Sequence, residues 1–162
     1  KLPVDGRAGR SKNITEFHGR CSQRGRRCRG AVPNVVPTRT FLEKIFLLHE
    51  EFQKENPRSK RMSRHLYDIE KIMDTDFGKS IADRELYESV VKHRSVFNKV
   101  EGIDYDLHNP STLCFIPPKS IIKEWEKDYQ SMQNHFIYEA QSLSFDDLIK
   151  RLEELTARIR NL

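Results

Sequence analysis

The sequence predicts a mainly α protein, a bundle of about five helices behind a basic N-terminal leader. Three observations predict it. Apolar residues recur at three- and four-residue spacing in five separate stretches, and only one short stretch reads as a strand. Charged residues make up 33% of the 162 and hydrophobic residues 36%, which suits one strongly solvated domain with a modest core. Residues 1–36 mix Gly, Arg, Ser, Cys and Pro without apolar periodicity, so they read as a disordered Arg-rich leader ahead of a helical domain over 37–162.

The helices follow in order. Thr40-Phe41-Leu42-Glu43 has the pattern of a capping box, and Leu42, Ile45, Phe46 and Phe52 repeat behind it, with Leu48 widening the face and His49 in the stripe. This helix should stop before Pro57. A second should start near Ser59 and carry Met62, Leu66, Ile69 and Met73, with Gly78 as its C-terminal breaker. A third spans about Asp83 to Asn98 with Leu86, Val90 and Phe97 inward. Gly102 to Pro118 is irregular, and Leu113-Cys114-Phe115-Ile116 could form one short strand before Pro117-Pro118. The fourth helix runs from about Ser120 to Ala140 along Ile121, Ile122, Trp125, Tyr129, Met132 and Phe136. The last opens on Ser144-Phe145-Asp146-Asp147 and repeats Leu148, Leu152, Leu155, Ile159 and Leu162.

Charge is unevenly placed. The chain carries a formal +5, residues 1–30 alone carry +7, and the remaining 132 residues sum to −2. A general basic face on the helical domain is therefore not expected. The leader is either an Arg-rich arm for RNA phosphates or a tail or non-native leader. No apolar run approaches the roughly 18 residues that span a bilayer, so no membrane association is expected. Cys21, Cys28 and Cys114 are odd in number and lack paired or zinc spacing, which points to a reducing, cytoplasmic setting. The chain begins at Lys1, and a fragment of a longer protein is expected.

Two groups of polar residues invite a chemical role. Lys44 sits one turn into the first helix. Arg61, Arg64, His65 and Asp68 fall three and four apart on the second. Guanidinium groups grip phosphate bidentately, and a carboxylate among them can take a proton or a cation. An ordinary i,i+4 ion pair and a half-buried histidine account for the same spacing. Asp104-Tyr105-Asp106 has a metal-binding D-x-D spacing, but its Gly and Asn-Pro neighbours make it a loop, and no metal ligands are assigned. Phosphate-loop, dinucleotide and nucleophile-elbow motifs are absent. Trp125 and Tyr129 continue an apolar stripe and read as core.

The segment Thr38 to His49, reading T-R-T-F-L-E-K-I-F-L-L-H, together with Arg64-His65-Leu66-Tyr67-Asp68-Ile69, resembles the AbiEii/AbiGii nucleotidyltransferase toxin family. Val90 to Asn98, the Pro-flanked stretch, Asp128-Tyr129 with Met132, and the Ser-Phe-Asp-Asp-Leu helix follow in the same order, so the resemblance covers about 37–162. It implies a toxin of toxin–antitoxin and phage-defence systems. Such a toxin uses Mg²⁺ and a nucleoside triphosphate to transfer a nucleotidyl group, in some members to a tRNA 3′ end, with a cognate antitoxin as partner. It also implies that Lys44 meets the triphosphate and that Asp68 is a base or positioning group. Arg64 and His65 would support the site or meet the acceptor, and by their residue types Arg61, Arg64 and His65 are the candidates for binding phosphate. The family's Gly-Ser/Thr turn and metal carboxylates are not found here, so the isolated chain is expected to be inactive and to bind neither Mg²⁺ nor the triphosphate tightly. The competing reading is a non-catalytic helical module that binds antitoxin or RNA through Arg58, Arg61 and Arg64. If a sheet is missing, some of Phe41, Phe46, Leu48 and Tyr67 should be exposed and promote self-association.

Overall fold

The structure is a computed structural model, and it describes residues 14–15, 34–137 and 142–161. Contacts divide the chain into two units, residues 1–37 and 38–162. In the first, β1 (Ile14–Thr15) pairs antiparallel with β2 (Asn34–Val35), Ile14 opposite Val35. The expectation for residues 1–36 named no element; the rest of that Arg-rich stretch, including Cys21 and Cys28, lies outside the described residues.

The second unit is helical: α1 (Pro37–Phe52), α2 (Ser63–Met73), α3 (Asp76–Lys79), α4 (Arg84–Phe97), α5 (Ile122–Phe136) and α6 (Phe145–Arg160). The mainly α reading holds, with one short helix more than the five expected. α1 begins three residues before the expected capping box. Pro37 takes the first helical position, where its fixed φ suits the turn and its missing N–H costs nothing, and Thr40 is interior. α1 is the core helix. Phe41, Leu42, Ile45, Phe46 and Leu48 are fully buried, which corrects the expectation that Phe41, Phe46 or Leu48 would be exposed. Tyr67 is half-buried.

α2, α5 and α6 pack on one another through Leu66, Ile69, Met73, Trp125, Tyr129, Leu148, Leu152 and Leu155. Trp125 and Tyr129 are core, as their stripe predicts. α6 is capped by Ser144, whose Oγ accepts from the Asp147 amide at 3.2 Å and donates to the Asp147 carboxylate at 2.7 Å. Asp147 thus holds the cap hydroxyl instead of the Ser144 amide that a longer Glu would reach. Asp83 caps α4 by accepting from the Leu86 amide at 3.0 Å.

Three further expectations are corrected. Gly78 does not end the second helix; it lies buried inside α3, where a Cβ would stand 2.3 Å from the Ile72 carbonyl oxygen. Residues 113–116 form no strand. The Cys114 amide donates to His49 Nδ1 at 3.1 Å, so this backbone finds a side chain where a strand would need a neighbour. Phe97 and Phe136 are 75% and 72% exposed. Each is the last residue of its helix, beyond the reach of the packed faces.

Candidate functional site

α1 and α2 bring the two groups of candidate residues together. Lys44 Nζ donates to Asp68 Oδ2 at 2.7 Å across 24 residues of sequence. Their side chains are 23% and 40% exposed, so both stay within reach of solvent and ligand. The pair is tertiary rather than an i,i+4 helix pair. The two residues face each other, though neither lines the cavities described below.

His65 and Arg64 flank the pair. His65 is half-buried, its Nδ1 has no hydrogen-bond partner among the described residues, and its pKa is lowered to about 4. Burial is the main cause, and the charges of Lys44 and Arg64 add to it, while Asp68 works the other way. His65 is therefore neutral at pH 7 and would meet a phosphate as a hydrogen-bonding group, not as a cation. Arg64 is exposed.

Arg61 is not on the helical strip expected for it. α2 starts at Ser63, and Arg61 occupies the preceding turn with φ of 61°, a left-handed conformation that is strained for a residue with a Cβ. Asp128 holds it there. One Asp128 oxygen accepts from the Arg61 amide at 2.6 Å, and the other accepts from the Ser63 amide at 3.0 Å and the Ser63 hydroxyl. The carboxylate supplies the cap that Met62 cannot give and sits at the positive end of the helix. Arg61, Ser63, Arg64, Asp128, Met132 and Phe136 line a groove of about 250 Å³. Arg58 does not line that groove. It is engaged with Glu51, which accepts from its backbone amide at 2.8 Å and from its guanidinium at 3.0 Å.

Sequence reasoning assigned no role to the charges behind Lys44. Arg94 of α4 donates to both oxygens of Glu50, at 2.7 Å each, and also to Glu43. His108 Nε2 lies 3.4 Å from Glu50 Oε1. Burial pushes the Glu50 carboxyl up, and the hydrogen bonds from Arg94 and His108 more than reverse this. The available signal was the seven-residue spacing of Glu43 and Glu50, which puts both on one face of α1. Asp104 accepts from the Asp106 amide at 2.9 Å and caps a 3-10 turn over Tyr105–Leu107, so D-x-D here is a loop device.

Among the described residues, those of the candidate site do not fit a divalent metal. Asp68 is paired with Lys44, and Asp128 accepts three hydrogen bonds. No group of three or more His, Cys, Asp or Glu among the described residues is arranged to hold an ion. They do fit an anion, because Lys44, Arg61 and Arg64 are partly or fully exposed.

Fold and site together define a helical domain that joins a lysine and an aspartate from two helices beside exposed arginines, a class suited to handling phosphate. The family model described as nucleotidyl transferase AbiEii toxin, type IV TA system, matches residues 31–151. That is well over half of the chain, and the chain belongs to this family of toxin–antitoxin nucleotidyltransferases. No curated protein and no solved structure matches it. No helix among the described residues is long and apolar enough to cross a membrane.

Proposed function

We propose that Lys44, Asp68, Arg64 and Arg61 form the nucleotide-handling face of the helical half of a nucleotidyltransferase site. The observation that carries this reading is the 2.7 Å Lys44–Asp68 pair, built by two helices beside Arg64 and a neutral His65. Lysine is a compact cation suited to a triphosphate. An arriving phosphate competes with Asp68 for Lys44. As Lys44 turns to the phosphate, an Asp68 oxygen is freed to accept the hydrogen of an acceptor hydroxyl, with the tRNA 3′ end as the acceptor. Arg64 and Arg61 add charge along the same side, and His65 supports the site without adding any. Transfer of this kind is mostly positioning and charge stabilisation.

Metal carboxylates are also needed for the reaction, and the described residues offer no such set. On this reading the chain by itself holds a nucleoside triphosphate only weakly and does not transfer it. The cellular role is that of a cytoplasmic toxin in phage defence, restrained by a cognate antitoxin. Titrating the full chain with the four nucleoside triphosphates tests the reading. Saturable binding that weakens about tenfold or more in Lys44→Met is expected, since one charge-assisted hydrogen bond is worth roughly 1.5–3 kcal/mol. Binding indifferent to Lys44→Met would overturn it. Transfer to tRNA by this chain, lost in Asp68→Ala, would overturn the claim of inactivity alone.

The groove supports a second reading, a module that binds antitoxin or RNA. Exposed Phe136 beside Arg61 and Arg64 gives an aromatic surface next to two cations. Arg64→Glu should then abolish partner binding while Lys44→Met leaves it unchanged.

A further inference from the structure

We propose that the groove between residues 61–64 and α5 docks a short acidic segment of a partner protein, with an apolar side chain of that segment set against Phe136. The inference rests on the second reading above, a binding module, and commits it to one class of partner. Arg61 stands at a φ of 61°, where a glycine would sit without strain. Asp128 accepts from its amide and from that of Ser63, so the Arg61 side chain leaves from a fixed base. Arg61 and Arg64 are exposed and make no ion pair among the described residues. By contrast, Arg39, Arg58, Arg84, Arg94, Arg151 and Arg158 are all paired with carboxylates. The groove's own carboxylate, Asp128, is spent on the two amides and the Ser63 hydroxyl, which leaves both guanidinium groups unmatched.

The other end of the groove is apolar. Met132 and Phe136 follow Asp128 at four-residue spacing on one strip of α5, and Phe136 is 72% exposed. An open aromatic beside an adaptable methionine suits a peptide side chain. From Asp128 to Phe136 the helix rises about 12 Å. An extended chain covers that length in about four residues. The segment therefore carries one or two carboxylates and, about four residues along, a large apolar or aromatic side chain.

Size and charge select the occupant. The groove's volume of about 250 Å³ suits side chains laid along it more than an enclosed small molecule. The larger cavity, about 550 Å³ beside α4, offers less to an acidic segment, because its Arg84 is paired with Glu88 at 2.8 Å and its Tyr87 is buried. Residues 31–162 sum to −2, so the two free arginines stand on a domain with no wider positive field. A nucleic acid gains its affinity at such a surface from many neutralised phosphates, which two cations do not supply. One or two carboxylates match two guanidinium groups through bidentate bonds.

The test is a random-peptide library displayed on phage and selected against the full chain, with a random single-stranded RNA library selected in parallel. Enriched peptides are expected to place Asp or Glu about four residues from a large apolar or aromatic residue. A labelled peptide of the enriched sequence should bind saturably, followed by fluorescence anisotropy. Arg64→Glu should weaken that binding by about tenfold or more, and Phe136→Ser by about tenfold. Arg61→Gly removes a cation and relieves the turn, so it should weaken binding several-fold while keeping or raising the thermal midpoint. A loss in that variant is the loss of a contact and not of the fold. Lys44→Met, which does not line the groove, should bind the peptide as the parent does. Triphosphate binding indifferent to Lys44→Met sinks the nucleotide reading and leaves this proposal standing. The proposal is overturned if no acidic sequence is enriched, or if Arg64→Glu and Phe136→Ser bind the peptide as the parent does. It is also overturned if only the RNA library is enriched, which would give the groove to a nucleic acid and keep the module reading.

Discussion

Lys44 and Asp68 hold each other at 2.7 Å from different helices, yet each remains partly open to solvent. Partly exposed pairs of this kind add only about 0–1 kcal/mol to stability. The pair should therefore separate stability from binding. Lys44→Met and Asp68→Asn are each expected to keep the helical content of the parent and to shift the thermal midpoint by no more than ~5 °C. Calorimetric titration should show that only Lys44→Met loses triphosphate affinity strongly. A midpoint that collapses in both variants would make the pair a structural clasp.

His65 reports on that pair from inside. Its folded pKa of about 4 lies below the ordinary 6.5 because of burial and then the nearby cations. Lys44→Met should raise it and Asp68→Asn should lower it, read from imidazole resonances across pH 3–8. The linkage has a definite sign. The unfolded chain takes up this proton first, so stability is full above about 6.5 and is lost as pH falls toward 4. His65→Gln should flatten that part of the profile. A His65 resonance that titrates near 6.5 in the folded chain would show the ring to be solvated.

Arg94 is the reverse case, a buried cation whose removal strands its partners. Burial disfavours its charge, but the hydrogen bonds it donates to the Glu50 and Glu43 carboxylates hold its pKa above the ordinary value. Arg94→Met leaves Glu50 charged and buried, a change worth about 3–5 kcal/mol. Urea denaturation should show the loss, and Arg94→Met with Glu50→Gln together should recover part of it. A loss under ~1 kcal/mol for Arg94→Met would show that water reaches these carboxylates.

Helix stripes were legible in the sequence because burial in a bundle follows the 3.6-residue period directly. Leu66, Ile69, Met73, Leu148, Leu152 and Leu155 all lie where that period put them. The helix ends were less so. Phe97 and Phe136 continue the period but fall past the point where another element covers them. Lys44 and Asp68 were legible as candidates through their motifs, and only the tertiary fold could show that they touch. Asp128 was not legible as a cap, because it holds residues 61 and 63 from more than sixty positions away. The Arg94 clamp was hidden for the same reason. A buried carboxylate on an apolar face signals a distant partner without naming it.

Gly78 is required by space rather than by backbone conformation. An added Cβ would stand 2.3 Å from the Ile72 carbonyl oxygen and 2.7 Å from the Met73 backbone, and backbone cannot step aside as a side chain can. Gly78→Ala should therefore cost about 1–3 kcal/mol, in spite of alanine's better helix propensity. The measurement is a denaturation midpoint set beside that of Ala82→Gly, a control at an exposed position nearby. A Gly78→Ala variant as stable as the parent would mean that α3 can move away from the end of α2.

Glu51 should dominate the acid limb of stability. Its carboxyl is buried, which alone would raise its pKa, but Arg58, Lys54 and the Arg58 amide together bring it down to about 2. A carboxylate depressed in the folded state contributes fully above its unfolded value and is lost as pH falls through the folded one. The window is therefore about pH 4.5 down to about 2, below the range where His65 acts. Glu51→Gln should remove roughly 1–3 kcal/mol at pH 7 and much less at pH 2.5, where the parent has already lost part of that contribution. Arg58 is largely exposed, so Arg58→Ala should cost less than Glu51→Gln, since Lys54 still pairs with the buried acid. Equal losses at both pH values would place the stabilisation in packing and not in charge.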